Sequence, residues 1–536
     1  MAIAASIPRT HQPARARPIV NWCNRTADRF AAFIARKPLL AVLTITLVHF
    51  AVALRWASST PFNFDEVYTV SIASQPSLSA IWTTLATGIE QMPPFTHVAV
   101  HASQTVFGNG EVASRLPSLI GTWVMCVCLF FYISSLCTPI YGLLAAMSPL
   151  LMSVFDGAFR ARAYGILVGA TGLALLCWDL AASNRLRGIS LFGLLSAMVI
   201  ACSSHYYAPA VLAPIALGEL VRTWRTRRFD LPVWLTMAAG MASLLAYLPL
   251  IRSAWGSVVA LNWPISFFNV LVIYRTSIHP ILLTTIGGLA VIAISRRMGL
   301  SLIGEPPARD VLSIPAHKIT CLLGFAALPL ILFLSAVCFT KVLHQSYATA
   351  MVIGFAGIFA VSVYYASDGK PLLPVALLLL VVGGLFSTAY KAANVASLRW
   401  DPRAALASPV FARETRIPVV VSDIGTFLEI WHYSSPPQSS RIYYLTDRES
   451  ARKYIGTDTW ENDVRRLQSV VHFNATDYRE FTGKRFLLYE RSGTEPIAWV
   501  RSKLMADGAH LELVGSTADA SMYSVTWEQS YTVHAH

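Results

Sequence analysis

The chain has 536 residues, 55% of them hydrophobic and only 13% charged, with a mean hydropathy of +0.52. Soluble domains carry roughly 25% charged residues, so these figures exclude a wholly soluble protein and make lipid the main solvent. The net charge of +13 belongs to residues 1–391, where 26 basic residues face 12 acidic ones; residues 392–536 hold 16 and 17, so the excess reads as membrane topology rather than nucleic-acid binding.

The first 37 residues form a basic arm (RTHQPARARP within it). No cleavable leader is expected, because the first apolar run is long and lies behind this arm. Apolar runs of about 16–22 residues then recur, the length that crosses a roughly 30 Å hydrocarbon core as helix. A span must be helical because lipid offers no partner to open backbone groups. The spacing predicts about eleven spans: 38–55, 114–134, 141–155, 164–182, 189–204, 206–221, 231–251, 277–295, 319–339, 347–366 and 371–391. Segment 92–107 is predicted as a membrane-surface helix, since its prolines, His97, His101 and Gln104 suit an interface. With the N-terminus in the cytoplasm, the cytoplasmic pieces hold 18 Lys and Arg against eight on the opposite side. This follows the positive-inside rule and puts the loop 56–113 outside.

Beyond residue 392 the composition is that of an ordinary soluble domain. PVVVS, RIYYLT, RFLLYE, HLELVGS and MYSVTWE read as strands, with helices after the first three. Such alternation predicts a small α/β domain, placed outside by the span count. All eight cysteines precede residue 339, so this domain uses no disulfide, and no cysteine cluster has metal-site spacing.

On the outer side, charges gather at Asp65, Glu66, Glu90, Glu111, Arg115, Asp156, Arg160, Arg162, Arg252, Arg275 and Lys341. A charge near hydrocarbon is costly and usually faces a protein cavity. Snorkelling is the bland alternative for each Arg or Lys, but it does not account for the acids.

The ordered set FNFDEVYT, EQMPPFTHVAVH, FGNGEVASRLPSLIG and FRARAYG resembles the outer motifs of the GT-C glycosyltransferase superfamily. It is most similar to the bacterial branch related to protein O-mannosyltransferases and the lipid A aminoarabinose transferase. The resemblance implies a polytopic α-helical fold of about 11 spans with a C-terminal soluble α/β domain. The implied domains are the arm 1–37, a transmembrane domain 38–391 with its catalytic loop 56–113, and an extracytoplasmic domain 392–536. It implies an inverting enzyme that moves a sugar from a polyprenyl-phosphate-sugar donor to an acceptor hydroxyl at the outer face of a bacterial inner membrane. The partners are then that donor, the bilayer, and an envelope glycan, lipid or protein as acceptor.

Such a reaction needs a base for the acceptor hydroxyl and cations for the charge growing on the phosphate. The resemblance makes Asp65 the base, with Glu66 sharing its role or holding the loop. Arg115 falls where the family has a donor-phosphate arginine. In FRARAYG the family's Arg and Tyr map to Arg162 and Tyr164, but its usual acid is replaced by Arg160, which leaves a divalent metal an open question. A helical segment would align Asp156, Arg160 and Tyr164 on one face; an extended turn would send both arginines to one phosphate. His205, Tyr206 and Tyr207 fall where relatives line the donor cavity, and Glu90 where they carry an acid facing the acceptor. Lys341 takes the place of a phosphate-binding Arg. The rivals are a secondary transporter, which should show repeated halves and mid-membrane charges, and an inactive scaffold, which the Arg160 substitution keeps open. Neither the sugar nor the acceptor is legible.

Overall fold

The computed structural model describes residues 16–152, 157–260, 265–297, 314–394, 400–408, 411, 416–494 and 497–527. Asp156, most of the loop 299–316 and the first 15 residues of the basic arm lie outside them. The chain forms two compact units. The first comprises residues 1–56, 117–246 and 265–391; the second comprises 57–116, 247–264 and 392–536. This cuts across a simple division at residue 392, because the segment 57–116 packs with the tail.

The first unit is helical. It begins with α1 (Ala16–Arg36) and α2 (Pro38–Ser59). Among the described residues, five helices are long and apolar enough to cross a membrane: Pro38–Ser59, Glu111–Leu136, Ala163–Ala182, Arg187–Ser204 and Leu231–Trp255. A sixth is counted if Ala316–Ala326 and Leu328–Thr340, bent by 62°, form one broken span. Among the described residues each of the eleven expected spans overlaps a helix, but not all meet this test. Pro139–Leu151 and Met351–Ala366 are short, and Ala208–Thr226 carries Glu219, Arg222 and Arg225 in its second half. There Glu219 is wholly buried and accepts from Arg222 at 2.7 Å and from the Trp178 indole at 2.9 Å.

Two backbone features place the functional segments of this unit. Helix Glu111–Leu136 meets helix Ala163–Ala182 through glycines. A Cβ on Gly121 would sit 2.3 Å from the Gly165 carbonyl oxygen, and one on Gly169 would sit 2.3 Å from that of Gly121. Small residues four apart allow this close approach, the usual device between membrane helices, and it fixes the 160–164 turn. The second feature is the break before Leu328. Pro329 has no N–H to give and its ring crowds the preceding turn, so the chain bends there. The helix then closes through a widened turn at Ala336–Thr340 and ends on Lys341 in the left-handed region, at φ 58°.

The second unit contains α3 (Phe64–Ala73), α4 (Leu78–Ala86), α5 (Phe95–Phe107) and a six-stranded sheet. The strands are β1 (Val419–Val421), β2 (Ile442–Thr446), β3 (Asn474–Asp477), β4 (Phe486–Arg491), β5 (Ala509–Ser516) and β6 (Ala520–Trp527), in spatial order β3-β2-β1-β4-β6-β5. β1 to β4 run parallel and β5–β6 close the edge as an antiparallel pair. Central Val419–Val421 is buried on both faces, as a helix-covered parallel strand must be. Val420, Leu445, Phe486, Leu488, Trp499 and Val525 form the core. β3 was not expected: its NATD sequence has neither an apolar run nor alternation. Helix Ile424–Tyr433 joins this domain to the outer loop. Its Glu429 accepts from the Phe64 backbone N–H at 2.9 Å, and its Tyr433 hydroxyl accepts from that of Phe62 at 2.8 Å and donates to Glu111 at 3.0 Å.

Candidate active site

NFDE is, locally, a helix start. Asn63 is the N-cap of α3; its side chain accepts from the Glu66 backbone N–H at 3.0 Å, and Glu66 accepts from the Asn63 N–H at 3.2 Å. This reciprocal capping box satisfies two N–H groups that a helix end leaves open. The two adjacent carboxylates therefore have different fates. Asp65 stands in the first turn and is half-buried, where its charge also suits the positive end of the helix. Glu66 is wholly buried and belongs to an ion pair.

Its partner is Arg115, itself 0% exposed. Arg115 Nε and Nη2 donate to the two Glu66 oxygens at 2.7 and 2.8 Å. The remaining guanidinium donors reach the carbonyls of Ala57 at 2.8 Å, Thr60 at 2.6 Å and Pro61 at 3.0 Å, with the Phe62 ring 5.0 Å from the guanidinium carbon. All five N–H groups of an arginine are thus directed at protein oxygens. The pair holds residues 57–66 against the start of helix Glu111–Leu136. The N-x-x-E spacing was the signal for this in the sequence.

Glu90 is 8% exposed and accepts from the Gln91 N–H at 2.9 Å. Around it lies a cluster that includes residues no sequence motif marks. In helix Thr459–Gln468, Arg466 donates to the Gly88 carbonyl at 3.0 Å and lies 3.5 Å from Asp463. One turn earlier, Trp460 meets the Phe64 ring at 6.1 Å. Phe64 and Tyr68 are four apart on α3 and share a face. The Tyr68 hydroxyl is buried without a hydrogen-bond partner among the described residues. Burial, then the charges of Asp463, Glu90 and Asp65, push its ionisation well above the ordinary tyrosine range. Burial likewise pushes the Asp463 carboxyl up to about 7; Arg466 opposes this, and Glu90 and Glu461 add to it. A carboxyl so placed exchanges its proton near neutral pH, the condition for acid–base work.

The other expected residues lie in the first unit. The 160–162 stretch is not helical: Arg162 is the extended N-cap of helix Ala163–Ala182, at φ −133° and ψ 169°. Its carbonyl accepts from the Ser118 hydroxyl at 2.9 Å. The i, i+4 face of a helical segment is therefore not formed. Arg160 lies over the Trp56 ring at 5.8 Å, and Arg162 is 6% exposed. Tyr164, His205 and Tyr207 come together around Tyr347. His205 and Tyr207 lie 4.9 and 4.6 Å from its ring, and Tyr164 lies 6.3 Å from it. Tyr207 donates to the Val342 carbonyl at 2.6 Å and also contacts Thr340. The Nδ1 of His205 accepts from the Tyr207 N–H at 3.1 Å, which puts the neutral ring's proton on Nε2. Tyr206 is half-buried beside them. Lys341 is exposed and its Nζ donates to the Val337 carbonyl at 2.8 Å. Among the described residues no three His, Cys, Asp or Glu side chains are arranged to hold a metal ion.

No protein-family model matches the chain, and no curated protein sequence is significantly similar to it. Solved structures do match. The structure of ArnT from Cupriavidus metallidurans bound to undecaprenyl phosphate aligns with a TM-score of 0.53 and 13% identity, over 91% of this chain and 98% of that one. The oligosaccharyltransferase of Archaeoglobus fulgidus, in complex with Zn and sulfate, aligns with a TM-score of 0.46 and 12% identity, over 91% of this chain and 73% of that one. The fold is shared, along nearly the whole length of both chains, with ArnT.

Proposed function

We propose that the protein is a glycosyltransferase that moves a sugar from a polyprenyl-phosphate-sugar to an acceptor hydroxyl at the outer face of a bacterial inner membrane. The observation that carries this reading is the separation of Asp65 from Glu66. Glu66 is consumed by its capping box and by Arg115, while Asp65 keeps partial access at the start of a helix whose position is fixed. The shared fold with ArnT, solved with undecaprenyl phosphate, supports a lipid-phosphate donor.

In this reading Asp65 takes the proton from the acceptor hydroxyl as its oxygen attacks the anomeric carbon, from the side opposite the phosphate. The bond between that carbon and the phosphate oxygen breaks, and the electron pair leaves with the phosphate. Arg160 and Arg162 offset the charge through their planar forks of donors, with Lys341 as a third cation. Tyr164, His205, Tyr206 and Tyr207 line the donor side, around Tyr347. Arg115 is assigned to the loop rather than to the phosphate, because its donors are directed inward. Glu90 and Asp463 form a second carboxyl pair, on the acceptor side, so the tail contributes to the site.

The test is purified protein in lipid, incubated with a radiolabelled polyprenyl-phosphate sugar. Slow hydrolysis or transfer that disappears in Asp65→Asn supports the reading. Undiminished turnover in that variant removes Asp65 as base, and no release of sugar by the wild type under any acceptor condition removes the enzyme reading.

A further inference from the structure

The basic arm was read only as a topology signal, yet residues 16–36 form the continuous helix α1. At 100° per residue its sequence splits into two halves. Trp22, Cys23, Ala27, Phe30, Phe33 and Ile34 fall on one; Asn21, Arg25, Asp28, Arg29 and Arg36 fall on the other. Only part of the apolar half is used by the protein. Ala27 and Ile34 are each 3% exposed where α1 packs against helix Pro139–Met147. Trp22, Phe30 and Phe33 stand beside them at 63, 37 and 47% exposed.

What covers this flank is indicated by charge and by continuity. Arg25, Arg29, Arg36 and Lys37 oppose the single acid Asp28, and the arginines border the exposed rings. Lys37 alone separates α1 from α2, the first apolar span, whose Leu39, Leu43 and Leu47 are also exposed. The exposed rings of α1 thus continue directly into a lipid-facing surface. A helix too polar to cross the bilayer, with a bulky apolar flank and an arginine border, sits in the headgroup layer. Tryptophan favours that depth, and the arginine stems let guanidinium groups reach lipid phosphates.

We propose that α1 is an in-plane anchor that docks its Trp22–Phe30–Phe33 flank into the headgroup layer of an anionic phospholipid bilayer, with Arg25, Arg29 and Arg36 reading the lipid phosphates. This inference does not depend on the reaction the protein performs.

The test uses the full chain with a benzophenone amino acid at position 33, reconstituted in nanodiscs of phosphatidylcholine alone or with phosphatidylglycerol. After irradiation, mass spectrometry of the helix is expected to show phospholipid adducts, with a yield about tenfold higher in the anionic discs, given the attraction of each basic residue to an anionic surface. Arg25→Gln, Arg29→Gln and Arg36→Gln together should abolish that preference while the melting temperature of the remaining protein is kept. Adducts to a second copy of the chain, adducts to another protein in native membranes in place of lipid, or equal lipid yields in the two compositions would each overturn the proposal.

Discussion

Two acidic regions of the second unit invite comparison. At Glu66 each carboxylate oxygen meets a donor, and the opposing guanidinium is fully occupied. Around Glu90, Asp463 and Tyr68 the balance differs: Arg466 draws the Asp463 proton off while burial, Glu90 and Glu461 hold it on, and the Tyr68 hydroxyl is left without a hydrogen-bond partner among the described residues. The first arrangement is rigid, since breaking a buried pair strands a charge. The second leaves a carboxyl with its proton held near neutrality. A carboxylate's neighbours, more than its place in a motif, decide whether it builds or reacts.

The contrast is broken most severely at Arg115. Arg115→Ala leaves Glu66 charged and buried beside three orphaned carbonyls, which should cost about 3–5 kcal/mol of stability. Thermal unfolding of the purified protein checks this, and activity should vanish with the fold. A stable Arg115→Ala protein with only a raised KM for the lipid-phosphate donor would return this residue to the phosphate. At Asp65 the expectation is the reverse. Asp65→Asn should lower transfer by roughly 10²- to 10⁴-fold with the melting temperature unchanged, because Asp65 is no part of the buried pair. A loss of stability comparable to that of Arg115→Ala would make it another structural acid.

Asp463 sharpens the comparison through pH. Its folded pKa is raised to about 7 from the ordinary 3.8, so its neutral form is favoured in the folded protein. The associated stability is fully present below about pH 4 and is lost as pH rises through 7. The melting temperature should therefore decline between about pH 4 and 7, and Asp463→Asn should flatten that decline; identical pH curves for the two proteins would place Asp463 in a solvated, ordinary setting. The smallest effect belongs to the cap. Asn63→Ala removes one side of the capping box and should cost about 1 kcal/mol, seen as a modest fall in melting temperature with transfer largely retained.

Much of the helical architecture was legible because lipid imposes long apolar runs. Among the described residues the eleven runs overlap helices, yet only five or six of these are long and apolar enough to span. The Glu219–Arg222 network polarises the end of one, and Pro329 breaks another. The strands of the tail were readable from their β-branched and aromatic runs, except for NATD, whose pairing with β2 comes from position rather than propensity. At the site, the residue types were visible but their division of labour was not. The resemblance left Glu66 either sharing the role of Asp65 or holding the loop, and it is the Asn63 capping box and Arg115, 49 residues on, that tie Glu66 to the loop. Asp463 carried no signal, because its significance arises from Gly88, Glu90 and Tyr68, which are remote in sequence.

The interleaved make-up of the second unit has a temporal consequence. Phe62 and Phe64 are tethered by Tyr433 and Glu429, groups that the ribosome adds 371 and 365 residues later. At ordinary elongation speeds that is a delay on the order of tens of seconds. Throughout it the segment bearing Asp65 is without these two tethers. A chain terminated before Glu429 would lack both tethers.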